Sequence, residues 1–273
     1  MSWTPQIPPI AKIEQKTLVD LMAKGRRIDD RKPADYRDIK IETGVIQKAN
    51  GSAMTHLGKT KVMTGIKIEL GEPFPDTPNQ GVLTVNAEFV PFASPSFEPG
   101  PPSEAAIELA RVVDRGLRES KAIPLEALCV QPGKKVIVVF VDVYVLDHDG
   151  NLIDTSAISA LAALLTSKMK SYAVEAGEVR TKDELVPLTI QNEPVAVTTA
   201  KVDGHMILDP CLQEELAMTA RLTVTSARDG SLCAMQKGGL GTFTDQETRQ
   251  VVKTAIEKGR EIREVIKGAT GTR

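Results

Sequence analysis

The stretch KKVIVVFVDVYVLDHDGNLIDTSAISALAALLT, residues 134–166, decides how this chain folds. Val136 to Val145 is a run of β-branched and apolar residues, the pattern of a buried strand. Asp149-Gly150-Asn151 supplies turn residues, and Asp154/Thr155 read as the cap of an Ala/Leu-rich helix starting near Ser156 and running to Glu175. A strand that feeds a turn and then a helix leaves free backbone N–H groups pointing out of the helix end. That arrangement is a natural seat for phosphate.

The same logic extends in both directions. Glu104 to Ser120 and Thr244 to Lys267 carry helical patterning, and Thr244 with Glu247 forms a capping box. Glu14 to Lys24, with Leu18, Leu21 and Met22 on one side, reads as a short amphipathic helix stopped by Gly25, behind a Pro-rich arm, Met1 to Ile10. Asn50-Gly51, Asp203-Gly204 and Asp229-Gly230 each separate two strand-like runs, and such dipeptides supply the positive φ that tight hairpins require. Strands and helices in this order predict an α+β fold, mostly antiparallel sheets covered by helices, in two sub-domains. The polar stretch Gly177 to Pro187 is the expected boundary. The expected units are an arm and helix over 1–25, a first domain over 26–180 and a second over 188–268.

Composition narrows the function classes. The chain has 273 residues, with hydrophobic content of 41% and charged content of 26%, as in an ordinary globular protein. A net charge of −2 and a pI near 6.0 mean that any nucleic-acid contact must come from a local basic patch. Cys129, Cys211 and Cys233 are scattered, as are His56, His148 and His205, so no metal and no disulfide is expected. No run approaches a membrane span, and no leader pattern opens the chain, so an intracellular, cytoplasmic protein is expected.

Several separate motifs carry a resemblance. Gly25-Arg26-Arg27-Ile28-Asp29-Asp30-Arg31 with Tyr36-Arg37 resembles the entry motif of the RNase PH family of phosphorolytic exoribonucleases. Asn50-Gly51-Ser52-Ala53 with Gly58 to Val62 resembles that family's first hairpin. Phe97-Glu98-Pro99-Gly100-Pro101-Pro102, Glu108 to Arg115 and Asp147 to Asp154 resemble, within it, the non-catalytic ring subunits of archaeal exosome cores. The resemblance implies an RNase PH-like fold and a phosphorolytic 3′→5′ reaction on RNA. It also implies a hexameric ring alternating with a catalytic RNase PH-like partner, three copies of each, under a cap of S1- or KH-type RNA-binding subunits.

Phosphorolysis needs cations and hydroxyls to hold phosphate, and carboxylates for an acid or a divalent ion. In active members the turn after the buried strand carries an arginine, and two carboxylates lie six residues apart in the second domain. The matching positions here hold Ile153, Glu215 and Arg221. An isoleucine offers no donor to a desolvated anion, so the resemblance implies a degenerate site with no catalytic residue and no cofactor. Two rivals stay open: a stand-alone ribonuclease, phosphorolytic or using a metal held by Glu215 with Asp209, and a ring scaffold without RNA contact. Asp147, His148, Asp149 and Asp154 read as turn acceptors rather than metal ligands. Gly238-Gly239-Leu240-Gly241-Thr242 lacks a phosphate-loop signature and reads as a strand-to-helix corner.

The helix from Glu104 places Arg111, Arg115 and Arg118 within about 60° of one another, opposite Ala106, Leu109, Ala110, Val113 and Leu117. Guanidinium forks suit a phosphodiester backbone. Glu104 and Glu108 share the ridge, and Asp114 and Glu119 can pair with Arg111 and Arg115, so geometry alone also fits a salt-bridged surface. In the family this helix borders the channel where RNA enters. The resemblance therefore favours RNA contact through Arg111 and Arg115, with Arg118 third.

Overall fold

The computed structural model describes residues 12–175 and 178–271. The Met1–Ile10 arm and Gly177 lie outside the described residues. The first sheet runs in the spatial order β1 (Ile39–Thr43), β2 (Gly51–Leu57), β3 (Thr60–Gly71), β6 (Lys135–Asp147), β4 (Val82–Phe89), with β5 (Cys129–Gln131) on β6. Every pairing in it is antiparallel except β4 with β6. The β-branched run forms β6, flanked on both sides. Val139, Val141, Val143 and Val145 enter the main core, while Val136 and Val138 pack with Val82 in a smaller cluster.

Helices α2 (Glu104–Glu119) and α3 (Leu152–Leu165) lie between this sheet and a second one. The second sheet has the order β10 (His205–Leu208), β9 (Val195–Val202), β11 (Ala220–Ser226), β12 (Leu232–Gly239), all antiparallel. Helix α5 (Asp245–Thr270) covers its other face, and α1 (Lys12–Ala23) packs beside the short α4 (Leu212–Ala217). Ser103 caps α2, and the Thr244/Glu247 capping box opens α5 as its spacing predicts. The expected α+β architecture is present.

Three local expectations are corrected. Helix α3 starts at Leu152 behind Asn151, not near Ser156, and ends at Leu165, not Glu175. It is buried on nearly every side, so no polar stripe marks its ends. The hydroxyls of Thr166 and Ser167 bond back to the carbonyls of Ala162 and Ala163, closing the helix. Residues Lys168–Glu175, expected at the end of that helix, form β7 instead, paired with β8 (Glu178–Pro187), so the polar stretch named as the boundary carries a strand of a hairpin between the two units.

Asn50-Gly51 makes no hairpin turn either. β1 and β2 are joined by residues 44–50, and Asn50 accepts from the Lys168 N–H at 2.8 Å. A Cβ on Gly51 would stand 2.4 Å from the Ala163 carbonyl, so glycine lets β2 approach the end of α3. By contrast, Asp203-Gly204, at φ 45° and 85°, turns β9 tightly into β10.

Candidate phosphate site and arginine ridge

The turn from β6 to α3 meets the loop between β10 and α4. Gly150, at φ 85°, has no room for a Cβ, which would lie 2.6 Å from the Pro210 carbonyl. Asn151 sits in the left-handed region at φ 52°, and its backbone N–H donates to Glu215 Oε1 at 2.8 Å. A carboxyl group of the chain itself therefore stands at the N-terminus of α3. Burial pushes Glu215 up to about 7, against the pull of Asn151, Arg221 and Arg37.

Ile153, in the first turn of α3, is 7% exposed and turns into the apolar seam between α2 and the second sheet, beside Val113, Leu117, Ala157 and Ala196. Asp154 is fully buried and binds the core rather than a ligand. It accepts from the Tyr36 hydroxyl at 2.6 Å, from Asn151 Nδ2 at 2.9 Å and from the Thr198 N–H and hydroxyl at 2.9 and 2.7 Å. Even so, burial raises its carboxyl to about 6. His148 stacks on Phe97 with ring centroids 5.3 Å apart, and burial with the nearby Arg37 charge lowers it to about 4. Among the described residues no three His, Cys, Asp or Glu side chains are arranged to hold a metal ion.

Asp209 is taken up entirely by the fold. Arg37 donates three hydrogen bonds to it at 2.8–2.9 Å, Arg31 one at 2.9 Å and Asn151 one at 2.7 Å. Burial would raise this carboxyl, but the bonds and charge of Arg37 hold it below the usual range. Beside it, Arg27 forks onto Glu214, with both side chains fully buried, and donates to the Leu208 and Asp209 carbonyls at 2.7 and 2.8 Å. This network ties the segment before β1 to the second domain. Its arginines form a motif legible in the sequence, but their partners lie about 180 positions away, beyond any spacing rule.

The ridge on α2 resolves into three unlike arginines, all exposed. Arg111 makes no hydrogen bond or ion pair among the described residues. Arg115 reaches Gln236 Oε1 at 3.3 Å. Arg118 forks onto Asp114 at 2.6 and 3.0 Å and donates to the Leu83 carbonyl at 2.9 Å, so its charge is largely spent on the fold. Arg221, on β11, pairs with Glu108 at 2.6 Å, which joins the candidate site to the ridge.

A family model described as 3′ exoribonuclease family, domain 1, matches residues 35–170, and its domain 2 counterpart matches 192–258. The exosome complex component Rrp42 of Pyrococcus abyssi is 53% identical over 259 residues, 94% of each chain. A chain from the Archaeoglobus fulgidus exosome with RNA bound to the active site superimposes with a TM-score of 0.85 at 41% identity, covering 92% of this chain and 97% of that one. A chain of an archaeal exosome core gives a TM-score of 0.82 at 38% identity, covering 93% and 96%. With matches to both domains and relatives aligned almost end to end, this chain belongs to the RNase PH family of 3′ exoribonucleases.

Proposed function

We propose that this protein is a non-catalytic ring subunit of an archaeal-type exosome in the cytoplasm. It would alternate with a catalytic RNase PH-like partner, three copies of each, beneath S1- or KH-type cap subunits. Its part is to contact RNA through Arg111 and Arg115 and to complete the partner's cleft. The likeness to archaeal exosome components supports the assembly. The observation that carries the non-catalytic reading is the hydrogen bond from the Asn151 N–H to Glu215 at the helix end expected to hold phosphate. An anion there would meet a carboxyl group and the apolar Ile153, with no side-chain cation in the first turn. Against the rival metal site stand the five donors that already occupy the Asp209 carboxylate.

Glu215→Gln tests this reading twice. If the chemistry belongs to the partner, the assembled ring should keep phosphate-dependent turnover within about twofold of wild type; a loss of about a hundredfold with assembly intact would make Glu215 a participant. The same variant has a pH signature. The folded pKa, about 7, lies above the unfolded carboxyl's ordinary value, so the fold favours the protonated acid. Ionisation then opposes folding, beginning near the unfolded pKa and complete above the folded one. The Gln variant should melt like wild type in acid and at a higher temperature than wild type above neutrality. A melting difference that does not vary with pH would contradict the burial argument.

A further inference from the structure

The carboxylates on α2 that could neutralise Arg111 are held elsewhere. Glu108 and Asp114 each stand three residues from Arg111, within pairing distance on a helix. Asp114 turns to Arg118 instead. Both oxygens of Glu108 are engaged by the second domain: Oε2 by Arg221 at 2.6 Å and Oε1 by Gln236 Nε2 at 3.4 Å. Arg221 has a seat made for it. Its cross-strand neighbour is Gly238, where a Cβ would stand 2.8 Å from Arg221 Nε. The arginine side chain is 19% exposed, and Glu108 is drawn to it across the domain junction.

We propose that Arg221 is a positioning residue: by gripping Glu108 it keeps Arg111 free to bind an RNA phosphate. The cation at a position where the resemblance implies a carboxylate in active members thus has a use of its own. A carboxylate there would repel Glu108 toward Arg111 and neutralise the ridge. The proposal rests on RNA contact at Arg111, and the test separates the two.

The test is binding of a fluorescent oligoadenylate by the assembled ring at low salt, with this subunit carrying Arg221→Met, Glu108→Gln, both, or Arg111→Ala. Arg221→Met should weaken binding about threefold to tenfold and flatten the salt dependence, because one phosphate contact is lost. Adding Glu108→Gln should restore affinity, since the liberated carboxylate was the competitor. Arg221→Lys, which keeps the charge, should bind nearly as wild type, and melting temperatures identify any variant that has lost its fold. Unchanged affinity in Arg221→Met, or no rescue by Glu108→Gln, overturns the proposal while leaving RNA contact at Arg111 intact. Wild-type binding by Arg111→Ala overturns both.

Discussion

A ring whose subunit carries Arg111→Glu with Arg115→Glu should hold RNA about ten- to a hundredfold more weakly at low salt, while folding and assembling as before. Among the described residues Arg111 has no partner to lose, and Arg115 loses only a 3.3 Å bond to Gln236. Their removal therefore costs the fold little, for exposed charges contribute about 0–1 kcal/mol each. For RNA the substitution deletes two cations and adds two anions at the proposed contact. The slope of log affinity against log salt should shrink by about 0.7 per lost single-strand contact. The loss should be similar for different sequences, since phosphate contacts carry no base information. An assembled double variant with unchanged affinity and slope would reduce the ridge to a solvated helix face.

The largest effect on stability is expected at Arg27. Arg27→Met should destabilise the protein by about 3–5 kcal/mol, the range for stranding one member of a buried ion pair. The arginine also donates to two carbonyls of the 208–209 segment, which would lose those donors in a buried setting. Glu214 would keep the Cys211 N–H as a remaining donor, at 2.9 Å. Arg27→Met with Glu214→Leu should recover part of the loss by removing the stranded charge. Denaturant unfolding measures both, and a single-variant cost below about 1 kcal/mol would mean that water reaches the site.

The fold was legible where one residue pattern had one structural meaning. The β-branched run of β6, the Thr244/Glu247 box and the Asp203-Gly204 turn are local devices, and each is found where its residues place it. Helix α3 was mislaid at both ends because it is buried on nearly every side, leaving no amphipathic period to end. Asn50-Gly51 carries a hairpin signature but serves a packing contact with α3, which depends on residues more than a hundred positions away. The site was half legible. Ile153, Glu215 and Arg221 were singled out through resemblance alone. That Glu215 bonds the α3 terminus and that Arg221 holds Glu108 are facts of tertiary structure. Arg118 looked like its neighbours on a helical projection, yet Asp114 one turn away and the carbonyl of Leu83 claim it.

The most direct measurement of the proposed division of labour is phosphate-dependent RNA decay by the purified chain, by the proposed catalytic partner and by their mixture, alongside the mass of each species. With Ile153 and the bonded Glu215 where a phosphate grip is needed, the isolated chain should release no nucleoside diphosphates. The mixture should form a ring containing both chains and degrade RNA faster than the partner alone. Release of nucleoside diphosphates by the isolated chain, above a control preparation, would contradict the account.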